Sequence, residues 1–244
     1  MRVALMQPTF MPWLGYIALA DSVDLFVFLD DFQFCRRTWG HRNRLFVAPG
    51  RVDWVTAPVE HAGSEERPSY NRARVMVDAV AKKLPAMLRH AYARAPYLDL
   101  VLPRVEAWLA RPYPSLAAFN IAFVRELMEL YDVRAAITTS SEVGSRGSRS
   151  ARLESILSAV GAKRYHAARG SVGYMVEDAV FPLSGVATYV QRYEPVPYAQ
   201  VQAPGFVPYL SALDALLQVG PEEATWIMRR GALPFEPWLE AIAS

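Results

Sequence analysis

Cysteine is nearly missing from this chain: Cys35 is the sole thiol among 244 residues. One thiol excludes an intramolecular disulfide and any cysteine-based metal cluster, and it fits a reducing compartment. Histidine is scarce as well, and His61 and His90 stand alone in a polar loop and on a helix, so no metal site is expected. Charge of one sign is lacking: 26 basic against 24 acidic side chains leave +2. That mean field is too weak to wrap nucleic acid or adsorb to a membrane, so any anion site must be local. No stretch offers about 18 uninterrupted apolar residues. The opening MRVALMQPTFMPW has too short an apolar core for a secretion signal and no small-residue cleavage site. Internal repeats and low-complexity tracts are absent. Together these deficits predict a cytoplasmic protein with no membrane partner. What is present, 52% hydrophobic and 20% charged residues, is globular composition, and the length suits one large domain or a main domain with a helical insertion.

Residues 2–6, RVALM, form an apolar run closed by Gln7-Pro8, which reads as a buried strand. Helical spacing of Trp13, Tyr16, Ile17 and Ala20 predicts a helix, and Asp24 to Asp30, DLFVFLD, a second strand. Strand, helix and strand within 30 residues make a βαβ unit with parallel strands and a right-handed crossover. Strands near 44–48 and 54–59 precede a polar loop at 61–74. Helices near 75–94, 103–110 and 115–131 follow, punctuated by Pro85, Pro96, Pro103 and Pro112 to Pro114. The α/β pattern resumes with a strand at 134–138, the polar loop TSSEVGSRGSRS, a helix capped by Ser148 or Ser150, and a strand at 163–166. A glycine-bearing loop ARGSVGY comes next, then a strand near 186–193 and two closing helices near 209–218 and 221–230. The expected architecture is α/β with a Rossmann-like parallel sheet, in one variant nucleotidyltransferase- or HUP-like. Residues 1–73 and 132–244 would form its core and 74–131 a helical layer or subdomain.

Two clusters carry the chemistry. The first, Gln7 through Tyr16, occupies the strand-to-helix turn of the βαβ unit, the edge at which open α/β sheets bind ligands. Two prolines stiffen it, Gly15 allows close approach, and Trp13 and Tyr16 offer flat surfaces that serve either a ligand or the core. The second, Asp30 through Arg44, leaves the neighbouring strand. Asp30 or Asp31 can orient an amine or accept its proton, and Arg36, Arg37, Arg42 and Arg44 can hold a phosphate or carboxylate; the alternative is a solvated hairpin. Cys35 reads as a packed thiol more readily than as a nucleophile.

Gln7, Pro8, Pro12, Trp13, Gly15, Tyr16, Asp30, Asp31, Gln33, Phe34, Arg36, Trp39, Arg42 and Asn43 resemble the opening of the WbqC-like protein family, Q-P-x-F-x-P-W-x-G-Y followed by D-D-x-Q-F-x-K/R-x-x-W-x-N-R-N. Trp54 to Val59, Tyr92, Ala95-Pro96-Tyr97, Ser140-Ser141, Arg152-Leu153, Tyr198, Gln200, Phe206-Val207-Pro208, Leu210-Ser211 and Leu213-Asp214 extend the likeness over nearly the whole chain. His41 replaces the family's asparagine, and the loop 165–174 loses a serine while keeping Gly170, Gly173 and Tyr174. A second resemblance is architectural: Trp13-Leu14-Gly15-Tyr16 sits where adenylyl-transferring enzymes carry H-x-G-H, and the loop 140–150 stands where they grip phosphate, with Arg146 and Arg149 to do so.

The family resemblance implies an enzyme of surface-polysaccharide or amino-sugar metabolism that attaches an activated aminoacyl group, such as glycyl, or an acyl group to the amine of a small molecule. Under that reading Gln7 and Asn43 fix the donor carbonyl and Asp30 or Asp31 steers the amine. Trp13, Tyr16, Gln33, Arg36, Trp39, His41, Arg42, Ser140, Ser141, Gly170 and Tyr174 bind the substrates. The donor would be formed with ATP and magnesium or supplied as aminoacyl-tRNA. Two other functions remain open: an ATP-dependent adenylylating enzyme, and a non-catalytic binding or assembly protein.

Overall fold

We describe residues 1–60 and 67–243 of a computed structural model. Six strands make one sheet: β1 (Arg2–Met6), β2 (Leu25–Phe28), β5 (Ala136–Thr139), β6 (Arg164–Ala167), β7 (Ala187–Tyr193) and β8 (Ala232–Pro237). Their order is β5-β2-β1-β6-β7-β8, with the first five parallel and β8 antiparallel on the edge. This is a Rossmann-like sheet, in which the chain reverses direction of growth between β1 and β6. β3 (Arg42–Ala48) and β4 (Arg51–Thr56) form a separate antiparallel pair.

Period-two alternation assigns the two faces. Ala4, Phe26 and Phe28 join one core with α1 (Leu14–Asp21), α2 (Val77–Ala91), α3 (Leu98–Leu109), α4 (Leu116–Leu130) and α8 (Ala212–Gly231). Val3, Leu5, Val27 and Leu29 join the other with α6 (Arg149–Ala159), α7 (Val172–Glu177) and α9 (Trp238–Ala241). The helices between β1 and β5 thus cover one face, and those between β5 and β7 the opposite one. α1 is apolar nearly all round because it packs against α8 and α4 and, through Tyr16 on Phe26, against β2; Leu14 to Ala20 are all buried.

Several boundaries depart from expectation. Pro103, expected to open a helix, lies inside α3, which begins at Leu98, and Pro85 lies inside α2, within the expected helix near 75–94. Each removes one helix hydrogen bond and costs about 3 kcal/mol in an isolated helix, but Val80, Leu84, Leu88 and Ala91 on α2, and Val101, Leu102, Val105, Trp108 and Leu109 on α3, bury a face that holds each helix together. The polar stretch after β5 holds a short helix, α5 (Ser140–Val143), started by a capping box between Thr139 and Glu142. The glycine-bearing loop is mostly helical, a single 3-10 turn at Arg169–Ser171 running into α7. The closing helices are continuous in α8 apart from Gly220, whose φ of 79° and ψ of 171° only glycine adopts readily. β8, carrying two prolines, is legible as a strand only once its place on the edge is known. His61 lies outside the described residues. No helix among the described residues is long and apolar enough to cross a membrane.

Candidate functional site

β1 and β6 pair over only two rungs, Arg2 with Arg164 and Val3 with Tyr165. Beyond Val3 the strands diverge, so a groove opens at their carboxyl ends, where β1 runs into Gln7 and β6 into Ala168. Two cavities occupy it. One, of about 470 Å³, lies toward β2 and α6 and is lined by Gln7, Thr9, Phe32, Thr38, Arg149 and Tyr174 among others. The other, of about 720 Å³, lies toward α1, β7 and β8 and is lined by Trp13, Tyr16, Arg169, Arg192, Glu194 and Glu236 among others. Met6, Trp39, Ala168 and Gly170 belong to both walls, and they mark the line along which the cavities meet.

The first turn is held by its own chain and by three distant side chains. The Tyr16 hydroxyl donates to the Gln7 carbonyl at 3.0 Å, and burial lifts the Tyr16 pKa well above its ordinary value, so this donor keeps its proton. Asn43, fully buried on β3, donates to the carbonyls of Phe10 (3.2 Å) and Met11 (2.8 Å). Asn120 on α4 donates to the carbonyls of Pro8 (2.9 Å) and Gly40 (2.7 Å), tying turn and roof together. Gln191 on β7 donates to the Gly15 carbonyl at 2.7 Å. The Trp13 ring lies directly over Gly15, leaving no room for a Cβ there. It also meets Tyr193 edge-on at 5.2 Å. The Gln7 side chain is exposed and lines the smaller cavity, and its oxygen accepts from Tyr70 at 3.1 Å.

The acidic pair behaves differently. Asp30 is buried and accepts from the Ser141 amide (3.0 Å), the Ser141 hydroxyl (2.6 Å) and the Ser140 hydroxyl (3.1 Å). Asp31 accepts from the same Ser140 hydroxyl and is ion-paired to Arg152, whose guanidinium lies 4.5 Å from the Phe32 ring centre. The two carboxylates therefore seat α5 and anchor α6 behind the Phe32 wall. Neither lines either of the two cavities. Ser140 and Ser141 belong to this lock.

The segment after β2 forms the roof. His41 is buried, with Nδ1 toward the Ala57 carbonyl at 3.2 Å and Nε2 accepting from the Arg37 amide at 2.8 Å. Burial lowers its pKa, which keeps it neutral and in that tautomer. Arg36 donates to the Val59 and Glu60 carbonyls, and Gln33 forms a bridge with Ser69. Arg42 donates to the Arg37 carbonyl at 2.6 Å and lies 4.2 Å from the Trp54 ring centre. Trp39 is half exposed above the groove, 5.0 Å from Trp54. Cys35, expected packed, is exposed, because its neighbour Phe34 takes the inward position beneath His41 and Tyr70.

On the far side, Gly170 and Tyr174 line the smaller cavity, and burial raises the Tyr174 pKa. Arg149 lines it too, ion-paired with Glu177 and Asp178. Ser148 is the N-cap of α6, as expected, but its side chain makes no cap hydrogen bond; Asp178 instead accepts from the Ser150 amide (3.1 Å) and hydroxyl (2.7 Å) in the first turn. Arg146 is exposed, its amide bonded to Ser155.

The expected residues thus separate into three groups. Gln7, Trp13, Tyr16, Trp39, Gly170 and Tyr174 meet at the groove. Asn43, His41, Arg36, Arg42 and Gln33 shape its roof, and Asp30, Asp31, Ser140 and Ser141 form the lock beside it. Thr9, Glu194, Arg192 and Asn120 were not foreseen. Asn120 alone had a signal, as the one polar side chain in the apolar stretch LAAFNIAFV of α4. Among the described residues no group of three or more His, Cys, Asp or Glu side chains is placed to hold a metal ion.

No solved structure matches the chain. It is 26% identical over 233 residues to a protein of Mycobacterium tuberculosis described as uncharacterized protein Rv1507c, a match covering 93% of this chain and 97% of that protein. Residues 7–225, which hold the first turn, the acidic lock, the roof and both cavity walls as far as β7, match the sequence profile of the WbqC-like protein family, and the chain belongs to that family.

Proposed function

We propose that the chain is a transferase that moves an activated acyl or aminoacyl group onto the amine of a small molecule held in the switch-point groove. One observation carries this reading: two cavities of unlike chemistry share a wall at Met6, Trp39, Ala168 and Gly170, so two ligands can lie end to end with their reacting ends in contact. Holding two reactants this way converts a bimolecular step into an effectively unimolecular one. The smaller cavity has largely apolar walls with polar groups from Gln7, Thr9, Thr38 and Tyr174 and the ion-paired Arg149 guanidinium, which suits an acyl donor. The larger has aromatic walls and the Glu194 carboxylate, which forms no ion pair among the described residues and suits a protonated amine before reaction.

In the transfer, the amine nitrogen attacks the acyl carbon, an N–C bond forms and the C–O bond to the activating group breaks. Glu194 first takes one proton from the ammonium, which frees the nitrogen lone pair for attack and is later released to solvent; the second proton, lost from nitrogen as the amide forms, passes to the departing oxygen. The Gln7 amide nitrogen donates to the acyl oxygen as charge grows on it. Asp30 and Asp31 act in this scheme by fixing the wall on which the donor rests.

Purified protein supplied with a preactivated acyl or aminoacyl donor and a panel of amines should form amide, followed by mass spectrometry. Gln7→Ala should lower kcat by roughly a hundredfold to a thousandfold, the range for loss of one oxyanion donor. An ATP-dependent adenylylating reading makes a different forecast: pyrophosphate exchange with ATP, magnesium and a free carboxylate. Exchange without transfer from preactivated donors would replace the first reading by the second.

A further inference from the structure

The roof carries a charge distribution unlike the rest of the molecule. Residues 36–56 hold five arginines, Arg36, Arg37, Arg42, Arg44 and Arg51, against one carboxylate, Asp53. None of the five enters an ion pair among the described residues. Elsewhere Arg2, Arg104, Arg152 and Arg229 are each matched to a carboxylate. Arg72, Arg94, Arg125, Arg146, Arg164, Arg192 and Arg230 also stand outside any ion pair among the described residues, so what sets the roof apart is density, five guanidinium groups against one carboxylate within one hairpin and the segment leading into it, on a chain whose net charge is only +2.

Its arrangement is ordered by the hairpin. Arg44 pairs with Trp54 and Arg42 with Thr56, and the two-residue period puts these four on one face, while Asn43 and Leu45 point into the core. Trp54 is 39% exposed and Trp39 49% exposed. Arg42, Trp54 and Trp39 follow one another at 4.2 Å and 5.0 Å, a file of flat surfaces that begins on the hairpin and ends on the shared wall of both cavities. Neither exposed ring has a core to serve, and burying them against a purely acidic protein or a lipid surface would leave the flat file unused.

Unpaired guanidinium groups alternating with exposed aromatic faces are what a single-stranded nucleic acid requires: phosphates take the charge and unstacked bases take the rings. Cavities of about 470 Å³ and 720 Å³ admit one terminal nucleotide with its substituent, and a duplex is too wide for them. We propose that the hairpin face binds the single-stranded 3′ end of an RNA, and that the acyl donor of the proposed reaction is an aminoacyl ester on that end. This rests on the transferase reading and names its donor. The balance is complete without a further reactant: Glu194 takes one proton from the ammonium and releases it to solvent, the freed nitrogen bonds to the ester carbon, the ester C–O bond breaks, and the second proton from nitrogen ends on the ribose oxygen.

The test measures binding of fluorescent bulk tRNA and of a short single-stranded RNA by anisotropy over a range of potassium chloride, with transfer from a small-molecule activated donor measured in parallel. The plot of log affinity against log salt should fall with a slope of about −2 to −3 for three or four phosphate contacts, and Arg44→Ala should reduce that slope by about 0.7. Trp54→Ala should weaken binding roughly tenfold or more, and Trp54→Phe should restore most of it. Neither residue lines the cavities, and melting curves of both variants separate local loss from unfolding. The proposal is overturned by no RNA binding at low salt, by equal binding of heparin with Trp54→Ala unaffected, or by tighter binding of an acidic peptide or anionic vesicles than of RNA. Transfer from the small-molecule donor without RNA binding removes the RNA donor and leaves the transferase. RNA binding without transfer from any donor keeps the surface and removes the transferase.

Discussion

Replacing Arg152 by methionine separates structural from chemical duty at the acidic pair. Arg152 and Asp31 are each about four-fifths buried, with side-chain exposures of 21% and 23%. Methionine keeps the packing against Phe32 and removes the charge, which leaves Asp31 with one hydroxyl that Asp30 also contacts. Breaking a fully buried pair costs about 3–5 kcal/mol and an exposed one under about 1 kcal/mol, so a pair with this exposure should cost about 2 kcal/mol. For a chain of this length that lowers Tm by about 4–8 °C. Adding Asp31→Asn removes the stranded charge, so the double variant should melt no lower than Arg152→Met alone, a coupling of about 1–2 kcal/mol in a double-mutant cycle. Calorimetry reads the melting points, and amide formation at a temperature where all variants are folded reads the chemistry. An unchanged Tm in Arg152→Met together with loss of transfer by orders of magnitude would refute the structural role and make Asp31 a reacting group.

Further outcomes follow from other contacts. Burial and the neighbouring Arg2 and Arg164 push His166 down to about 4, while in the unfolded chain it titrates near 6.5; the unfolded state binds more protons between those values, so this contribution to stability is full above about 6.5 and is lost as pH falls toward 4. His166→Gln should flatten the fall in Tm across that window, and an unchanged profile would show that His166 is not its source. Tyr193 holds a buried hydroxyl with no hydrogen-bond partner, so Tyr193→Phe should be neutral or raise stability by up to about 1 kcal/mol; a loss above that in chemical denaturation would mean the hydroxyl is satisfied. Gly220→Ala places a methyl group against the Tyr97 ring and forces a non-glycine residue to φ 79°, which should cost about 3 kcal/mol or more; a melting point within a degree of the parent would contradict the kink.

The groove was legible in the sequence to the extent that it depends on local pattern. RVALM closed by Gln7-Pro8, and DLFVFLD closed by two aspartates, fix the first βαβ unit because buried parallel strands are written as continuous apolar runs. Where Asp30 and Asp31 point was not legible, since their partners Ser140, Ser141 and Arg152 lie more than a hundred residues away and nothing local distinguishes a carboxylate that locks two helices from one that meets a ligand. Proline punctuation misled at Pro103, where the helix begins five residues earlier at Leu98 because the deciding term was tertiary burial of its apolar face. β8 was illegible for a similar reason: ALPFEP has strand geometry only because β7 offers it an open edge.

Asn120 reaches from the middle of α4 to two carbonyls, Pro8 on the floor of the groove and Gly40 on its roof. The spacing of those surfaces is thus written into a helix none of whose own residues lines either cavity. A chimera that borrowed residues 74–131 from a distant relative would inherit a different groove height wherever that one amide was shortened, lengthened or turned, even with every lining side chain left in place.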